Sequence, residues 1–318
     1  MTRIAVVGVG QFGRNHARVA AASERATLVA VVDSDAARAA DVAAQHGCNA
    51  LHDVSELDGT VDAAIVAVPT TAHADVACRL MAAGIDVLVE KPIAPDLESA
   101  DRIIAAAEEH ARVLQVGHLE RFNPAVIALE RHARLPLFFE IHRLSVFSPR
   151  SLDVDVVLDL MIHDLDIVLN LASAELEEIR AAGISILSAK EDIANVRLQF
   201  QNGCIANLTA SRVSTEKVRK LRLFQPREYI SVDYTRQEAL SIRVDERRQV
   251  SFHPLPVNKE EPLAAQFEAF LDCLESRSAP KVHGRAARRT LEAALAILVK
   301  IKEHAEVVAQ SVVTEWKP

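Results

Sequence analysis

The chain has 318 residues, of which 50% are hydrophobic and 25% are charged, a composition typical of a globular protein with two domains. Its net charge of −8 argues against a general nucleic-acid-binding protein, because such proteins carry a basic face. The four cysteines form no CxxC pair, which argues against a zinc ribbon or a disulfide framework. No apolar run reaches the length of a membrane span or a signal peptide, so we expect a reducing, cytoplasmic location.

Strand-like and helix-like segments alternate through the first 116 residues. The predicted strands are residues 3–7, 27–32, 63–68, 86–89 and 113–116. The predicted helices are residues 14–22, 35–45, 71–83 and 98–110. This alternation favours right-handed crossovers and a parallel sheet that is covered on both faces. We therefore predict an α/β fold whose N-terminal domain, residues 1–120, is built on a parallel sheet.

The pattern changes after Gly117, where shorter strand-like runs follow one another. The predicted helices are residues 123–131, 155–171, 263–274 and 286–309. The predicted strands are residues 137–144, 179–187, 194–200, 205–211, 221–224 and 229–234. The turn at Gln201-Asn202-Gly203 joins two of these strands as a hairpin. We predict a C-terminal α+β domain over residues 121–318 with a mostly antiparallel, open sheet.

The sequence Gly8-Val9-Gly10-Gln11-Phe12-Gly13 follows the first strand and opens the first helix, the context in which this pattern indicates dinucleotide binding. Its glycines permit a tight turn, close approach of a pyrophosphate and close helix–strand packing. We therefore predict that residues 1–120 form a Rossmann dinucleotide-binding domain. Asp33, at the end of the second strand, can accept hydrogen bonds from both ribose hydroxyls and repel a 2′-phosphate, which favours NAD. Arg38 nearby is the feature that would favour NADP. A glycine turn that binds no cofactor is the alternative.

Two motifs carry candidate proton-transfer groups. Glu90-Lys91-Pro92 ends a parallel strand, where ligands bind in open α/β sheets, although a surface charge pair is the alternative. Asp159 and His163 share one face of a helix, where a carboxylate raises the pKa of an imidazole and fixes its tautomer. A structural contact or a metal site are the alternatives for this pair. No further His or Cys cluster supports a metal, so we predict none.

Two polar segments are candidate substrate contacts. His118, Glu120, Arg121 and Asn123 lie where the first predicted domain gives way to the second, and an arginine such as Arg121 can hold a phosphate with two hydrogen bonds. Residues 211–220, which include Lys217, are the most basic stretch of an acidic chain and offer an anion site. Ordinary linker polarity and a solvated loop are the alternatives.

The order and spacing of the glycine motif, Glu90-Lys91-Pro92 and Asp159-x-x-x-His163 resemble those of the Gfo/Idh/MocA oxidoreductases over nearly the full chain. The resemblance implies NAD(P)-dependent oxidation or reduction of a sugar or polyol hydroxyl, with Lys91, Asp159 and His163 as catalytic residues. It also implies that the C-terminal sheet forms an oligomer interface. The expected cofactor contacts are Gly8, Gly10, Gln11, Phe12, Gly13, Asp33, Ser34, Val68, Pro69, Thr70, His73, Glu90 and Lys91.

Within that family, residues 117–126, 154–164 and 219–226 resemble the UDP-N-acetylglucosamine 3-dehydrogenases, which work with an aminotransferase in some lipid A pathways. This resemblance implies NAD-dependent oxidation of the C3 hydroxyl to a 3-keto sugar nucleotide, coupling to an aminotransferase, and a homo-oligomer of two or four chains. The expected substrate contacts are His118, Glu120, Arg121, Asn123, Arg143, His163 and Lys217.

One position departs from the family pattern. Many members have a glycine two residues before the motif histidine, where this chain has Met161, and we expect the larger side chain to reshape the sugar pocket. Three alternatives stay open beside the nucleotide-sugar dehydrogenase. One is a dehydrogenase of inositol or of another sugar or polyol, the second is an NAD-sensing protein without catalysis, and the third is a metal-dependent enzyme.

Overall fold

A computed structural model describes residues 1–147 and 154–315, with side chains as far as residue 310. Its contacts divide the chain into two compact units. Unit 1 contains Met1–Phe122 and Glu261–Leu291, and unit 2 contains Asn123–Glu260 and the chain from Glu292 onward. The sequence analysis placed residues 261–291 with the second half of the chain, whereas they pack within unit 1. The assignment of a cofactor domain and a substrate domain to particular residue ranges stays a prediction.

Unit 1 is built on six parallel strands in the order β3-β2-β1-β4-β5-β6. The strands are β1 (Thr2–Val7), β2 (Ala26–Val32), β3 (Asn49–Leu51), β4 (Ala63–Val66), β5 (Asp86–Glu90) and β6 (Leu114–Gly117). The α-helices between them are α1 (Gln11–Ala22), α2 (Ala36–His46), α3 (His73–Ala82) and α4 (Leu97–Glu109). The strand order reverses direction at β1, and ligands bind in such sheets beside the carboxyl ends of the strands at that point.

A helix from late in the chain completes the core of unit 1. Helix α7 (Pro262–Ser276) buries Phe267, Phe270 and Leu271 in the same apolar cluster as Ile4 of β1. Their spacing of three and four residues puts the three side chains on one helical face. This spacing predicts an amphipathic helix, but it contains no information about which sheet the helix covers.

Unit 2 is built on eight strands in the order β14-β13-β12-β11-β7-β10-β9-β8. Their bounds are β7 (Phe138–Val146), β8 (Leu176–Ile184), β9 (Ile193–Phe200), β10 (Ile205–Ser214), β11 (Val218–Gln225), β12 (Glu228–Asp233), β13 (Glu238–Val244) and β14 (Val250–Pro254). Neighbouring strands are antiparallel except for the parallel pair β7–β10. The predicted fold class, a Rossmann sheet followed by a mostly antiparallel α+β part, is confirmed.

Three helices share the core of unit 2 with this sheet. Helices α5 (Pro124–His132), α6 (Ile162–Ala172) and the unit 2 part of α8 (Gly284–Glu315) contribute Leu129, Leu165 and Ile297 to one apolar cluster. Alternate residues of β9 and β10 join that cluster, as the twofold period of a strand with one covered face requires. Among the described residues, no helix has both the length and the apolarity that crossing a membrane requires.

Two parts of unit 2 differ from the sequence prediction. Strands β13 and β14 were not predicted, although apolar and polar residues alternate in both, and β14 is exposed along its whole length. The single helix predicted over residues 155–171 is instead a π-helical turn, Val157–Met161, followed by α6.

A fully buried carboxylate fixes the loop after β8. Asp192 accepts hydrogen bonds from the backbone N–H groups of Ile186, Leu187 and Ser188, at 2.7, 2.6 and 3.0 Å, and from the Ser188 hydroxyl at 2.7 Å. Burial by itself would raise the pKa of Asp192, but these hydrogen bonds outweigh burial and hold the pKa far below its usual range. Asp192 is therefore an ionised group that stabilises the folded loop at neutral pH.

Replacing Asp192 with asparagine is expected to lower the free energy of unfolding by about 2–4 kcal/mol at pH 7, because an amide cannot accept all four hydrogen bonds. The folded pKa is depressed, so the stabilisation is complete above the unfolded pKa of about 3.9 and declines as the pH falls below it. Urea unfolding at pH 7 and pH 3.5 measures both effects. Asp75→Asn, which alters an exposed ion pair with Arg102, is the control and should cost less than about 1 kcal/mol.

Candidate active site

The glycine loop of unit 1 has the shape of a pyrophosphate cradle. A Cβ on Gly8, whose φ is +85°, would lie 2.7 Å from the backbone of Ala67, and a Cβ on Gly13 would lie 1.8 Å from the Gly8 carbonyl oxygen. Neither position can carry a side chain. In contrast, no atom lies within 4 Å of a Cβ placed on Gly10. Helix α1 begins here without a side-chain cap, so its first N–H groups point toward open space that suits an anion.

Asp33 connects the end of β2 to this loop. Its carboxylate accepts hydrogen bonds from the backbone N–H groups of Val9 and Asp35, both at 2.9 Å, and it is only 7% exposed. Arg38 lies 3.3 Å from both Asp33 oxygens and 3.0 Å from Asp35. Arg38, the residue that could bind the 2′-phosphate of NADP, is thus already paired with two carboxylates. This arrangement favours NAD over NADP. The cap of α2 is Asp35, which accepts from the Arg38 N–H, and Ser34 is exposed.

Replacing Asp33 with asparagine is expected to lower the ratio of kcat/KM with NAD to kcat/KM with NADP by at least about tenfold, since the repulsion of a 2′-phosphate disappears. Asparagine keeps an oxygen for the Val9 N–H, so the loop should stay folded. The measurement is NADH or NADPH formation at saturating substrate. Asp41→Asn, an exposed α2 carboxylate that pairs with Arg14, should leave the ratio unchanged, and an unchanged ratio in Asp33→Asn would contradict the assignment.

The loops after β4 and β5 are joined by a buried histidine. His73 at the start of α3 is 1% exposed, and its Nδ1 lies 3.0 Å from the Pro92 carbonyl oxygen while its Nε2 lies 3.0 Å from the Val68 carbonyl oxygen. Burial lowers the pKa of His73 below its ordinary value, against the raising effect of these carbonyl groups. The ring, expected from the sequence to contact the cofactor, lies between two backbone segments and, as a neutral imidazole, donates a hydrogen bond to one of them. Pro69 is exposed, and Val68 and Thr70 are half-buried.

Glu90 points into unit 1, and Lys91 follows it in a half-buried position. Glu90 Oε1 lies 2.7 Å from Nε2 of His16 on α1, and Oε2 accepts the Lys91 backbone N–H at 3.1 Å. Burial alone would raise the pKa of Glu90, but the hydrogen bond and charge of His16 and the charge of Lys91 outweigh it, so the pKa lies below its ordinary value. The Lys91–Pro92 peptide bond is cis.

Sequence reasoning missed His16. A signal for it does exist, because Gly13, Ala17 and Ala20 form the buried face of α1 and His16 is the polar residue among them. A buried polar side chain on an otherwise apolar face requires a hydrogen-bonding partner inside the unit. The sequence offered no means of identifying that partner as Glu90, which is 74 residues away.

The polar segment after β6 is buried rather than open. His118, Glu120 and Arg121 are at most 5% exposed, and residues Leu119–Phe122 form a 3₁₀ turn. The Lys281 ammonium donates to the Arg121 carbonyl oxygen at 2.7 Å and lies 5.7 Å from the centre of the Phe122 ring. The sequence analysis singled out the polar residues of this segment, but it did not identify Lys281, which donates a hydrogen bond to their backbone.

Asn123 acts as a structural cap at the first residue of unit 2. Its side-chain oxygen accepts from the Ala125 N–H at 3.1 Å, which caps α5, and its amide nitrogen donates to the Tyr234 carbonyl oxygen at 3.1 Å. Asn123 is 3% exposed. The helix start predicted from Asn123-Pro124 is confirmed, and a contact of Asn123 with substrate stays a prediction.

In unit 2, the predicted catalytic pair lies where the helix changes its pitch. Asp159 is half-buried on the π-helical turn, and the Ile162 N–H bonds to the Val157 carbonyl oxygen five residues back. His163 follows in the first turn of α6 and is 9% exposed. Single π turns of this kind occur frequently at functional sites. Met161 between them is 1% exposed in the apolar cluster, so it fills the core instead of reshaping an open pocket.

A buried ion pair lies next to His163. Arg143 on β7 donates from Nε to Asp164 Oδ2 at 2.6 Å and from Nη2 to Oδ1 at 2.9 Å, and both side chains are 2% exposed. The Tyr234 hydroxyl also donates to Asp164 Oδ1 at 2.9 Å, and the Arg143 guanidinium lies 5.0 Å from the Tyr234 ring centre. Arg143, predicted from sequence as a substrate contact, is therefore bound to a carboxylate that the sequence analysis did not single out.

The basic stretch is mostly strand. Residues 211–214 belong to β10 and residues 218–220 belong to β11, so a short exposed connection that contains Lys217 is all that remains of the predicted loop. Strand β11 pairs Arg219 with Arg143 of β7. A role of Lys217 in anion binding stays a prediction.

Comparisons with known proteins agree over both units. Residues 2–118 match the family described as an oxidoreductase family with an NAD-binding Rossmann fold, and residues 138–229 match the GFO/IDH/MocA C-terminal domain. A UDP-N-acetylglucosamine 3-dehydrogenase of Acidithiobacillus ferrooxidans is 39% identical over 94% of this chain and 97% of its own length. An inositol 2-dehydrogenase of an Arthrobacter species is 31% identical over 65% of this chain and 66% of its own length.

A solved structure of the Acidithiobacillus ferrooxidans enzyme superposes with a TM-score of 0.90 and 39% identity, covering 95% of this chain and 98% of the other. The family resemblance inferred from three motifs is thus confirmed, and so are the oxidoreductase class and NAD as the cofactor. The chain belongs to the Gfo/Idh/MocA family of NAD-binding oxidoreductases.

Proposed function

We propose that this protein oxidises the C3 hydroxyl of UDP-N-acetylglucosamine to the 3-keto sugar nucleotide. The observation that carries the proposal is the 39% identity with a UDP-N-acetylglucosamine 3-dehydrogenase, which extends over 94% of this chain and therefore includes both units. The identity with the inositol 2-dehydrogenase is lower and spans about two thirds of each chain.

The reaction removes a hydride from C3 and a proton from its hydroxyl, so the C3–O single bond becomes a carbonyl. NAD, when bound, supplies the acceptor for that hydride. We assign the cofactor to the glycine cradle of Gly8, Gly10 and Gly13 and to Asp33, because the loop leaves open space at Gly10 and presents uncapped N–H groups. These residues bind and orient the cofactor.

The proton is handled by side chains of the protein. We assign His163 as the base that takes the hydroxyl proton, with Asp159 as the carboxylate that supports it. We assign Lys91 as a donor of a hydrogen bond to the reacting oxygen. Support for Lys91 comes from its position directly after β5, at the carboxyl edge of the parallel sheet. Support for His163 comes from its small exposed fraction, which keeps most of the ring away from water.

The substrate contacts are proposed in two groups. His118, Glu120 and Arg121 are buried on or next to the 3₁₀ turn of unit 1, and Lys217 is exposed in unit 2. Arg121 and Lys217 are cations that suit the diphosphate of the nucleotide. Arg143 and Asn123 are bound to other protein groups, and a direct contact of either residue with the substrate stays a prediction.

Three finer properties belong to the same proposal. We propose coupling to an aminotransferase that converts the 3-keto product for lipid A synthesis, because a ketone at C3 is the substrate that transamination needs. We propose a cytoplasmic location, where NAD is available. We propose a homo-oligomer, which size-exclusion chromatography can test. Its support is the exposure of Val244, Val250 and Phe252, at 38%, 57% and 64%, on β13 and β14.

The experiment is NADH formation at 340 nm with NAD and UDP-N-acetylglucosamine, with an aminotransferase and glutamate present to consume the ketone. We expect a rise that requires the UDP sugar and is weak with NADP. A rise with inositols or free sugars, and none with the UDP sugar, would replace the proposed substrate and leave the family assignment intact.

A further inference from the structure

We propose that two buried histidines, His16 and His73, are positioning residues for Lys91. His16 contacts the residue before Lys91, and His73 contacts the residue after it. His16 thereby connects this segment to α1, and His73 connects it to the loop after β4. This inference rests on the catalytic role proposed for Lys91. It gives a function to His16, which no motif singled out, and changes the expected role of His73 from cofactor contact to support.

On the N-terminal side, His16 holds Lys91 through Glu90. The ionised Glu90 carboxylate can only accept hydrogen bonds, so Nε2 of His16 carries the hydrogen in the 2.7 Å contact. The second carboxylate oxygen accepts the Lys91 backbone N–H at 3.1 Å. The carboxylate therefore connects the imidazole of α1 directly to the backbone of Lys91, inside a region where His16 is 1% and Glu90 7% exposed.

A close approach of β6 leaves Glu90 little freedom to move. A Cβ on Gly117 would lie 2.9 Å from Glu90 Oε1 and 3.1 Å from Glu90 Cα. The carboxylate thus packs against the bare backbone of the neighbouring strand, with which Glu90 pairs in the sheet. Glu90 Oε1 is therefore held by His16 and lies close to the Gly117 backbone, so loss of His16 removes one of the groups that restrict the carboxylate bound to the Lys91 N–H.

On the C-terminal side, His73 holds the chain immediately after Lys91. Its Nδ1 lies 3.0 Å from the Pro92 carbonyl oxygen and 3.3 Å from that of Ile93, and its Nε2 lies 3.0 Å from that of Val68. All three partners are acceptors and the neutral ring carries one N–H, so the ring donates a hydrogen bond on one side and packs against the carbonyl oxygen on the other. The ring is 1% exposed and bridges the loop after β4 to the segment after β5.

Both histidines therefore join Lys91 to the glycine cradle. His16 belongs to α1, whose first residues form that cradle, and Val68, the partner of His73, has its backbone nitrogen 2.7 Å from a Cβ placed on Gly8. Side chains that only filled the core would be apolar, since burying an imidazole without hydrogen bonds is unfavourable. The contacts made by these two rings fix the backbone on either side of one residue, which is what placing a catalytic ammonium requires.

The first test compares His16→Gln with His16→Leu. A glutamine places an amide N–H near the position of Nε2 and can still donate to Glu90, whereas leucine removes the donor and keeps the volume. We expect His16→Leu to lower kcat by about ten- to a hundredfold, the range for a displaced catalytic group, with KM for the UDP sugar changed less than about threefold. We expect His16→Gln to recover most of the loss. His52→Leu, an exposed histidine of unit 1, is the control.

The second readout does not depend on activity. Hydrogen exchange of the peptide that contains Lys91, measured without NAD, should be faster in His16→Leu and His73→Leu than in the parent protein, and unchanged in His52→Leu. If the leucine variants do not fold, His73→Asn and Glu90→Gln provide the same measurement. Unchanged exchange together with kcat within twofold of the parent would overturn the proposal.

A double variant separates this proposal from a purely structural role. In the Lys91→Met background, His16→Leu should cause no further loss of kcat, because a positioning residue has nothing left to position. Losses that multiply would show that His16 acts elsewhere, and would overturn the inference. If the parent protein oxidises no sugar at all, the proposed function fails, and the exchange of the Lys91 peptide still decides whether the histidines hold this segment.

Discussion

Replacing Lys91 with methionine is expected to lower kcat for NADH formation by about 10²–10⁴-fold, the usual contribution of a proton-handling side chain. Methionine keeps the length and most of the volume of lysine but removes the ammonium. The backbone N–H of residue 91 still donates to Glu90, so the segment should keep its conformation. The Kd for NAD, measured by titration, should change less than about threefold, because the cofactor is assigned to the glycine cradle and Asp33.

A matched substitution controls for the loss of a positive charge. Lys302→Met removes an exposed lysine from α8, far along the chain from every residue of the site, and should leave kcat unchanged. Turnover of Lys91→Met at the level of the parent would remove Lys91 from the mechanism. A loss confined to NAD affinity, with kcat intact at saturating NAD, would instead make Lys91 a cofactor contact.

Replacing Arg143 with methionine is expected to lower the free energy of unfolding by about 3–5 kcal/mol, because the Asp164 carboxylate is left charged and buried. The pair is bidentate and both side chains are 2% exposed, so water cannot take the place of the guanidinium. The Tyr234 hydroxyl still donates to Asp164 Oδ1, but it carries no charge to balance the carboxylate. Thermal unfolding should show Tm lower by roughly 6–20 °C.

The same sheet offers the control for this effect. Arg222 on β11 pairs with Glu140 of β7 at 2.8 Å, but the two side chains are 37% and 36% exposed. Arg222→Met should therefore cost less than about 1 kcal/mol. If Arg143→Met kept the parent Tm and raised only KM for the UDP sugar, Arg143 would be the substrate contact that the sequence suggested and not a structural partner of Asp164.

The glycine cradle and Asp33 could be predicted because their chemistry is local. Gly8, Gly10 and Gly13 lie within six residues of one another, and the strand before them and the helix after them are short-range patterns. Asp33 lies at the end of the next strand, a distance fixed by one strand–helix–strand unit. Each of these features depends on residues adjacent in sequence, which a single chain displays directly.

The remaining features depend on partners that are distant in sequence. His16 meets Glu90 across 74 positions, and Arg143 meets Asp164 from a different element. Strand β3 is three residues long, and two of them are exposed, so it forms only because the edge of β2 is available for pairing. The apolar face of α7 predicts burial, but only the assembled sheet decides what covers it. Sequence patterns identify which residues need a partner, and tertiary packing determines which residue that partner is.

The place of α7 in unit 1 has a consequence for biosynthesis. The sheet and helices α1–α4 have all been synthesised once Phe122 is made, yet Phe267, Phe270 and Leu271, which close their apolar cluster, follow about 150 residues later. At translation rates of roughly 5–20 residues per second, the nascent core waits about 7–30 s for its last helix. During that interval the apolar surface that α7 covers in the folded protein lacks this helix and is exposed.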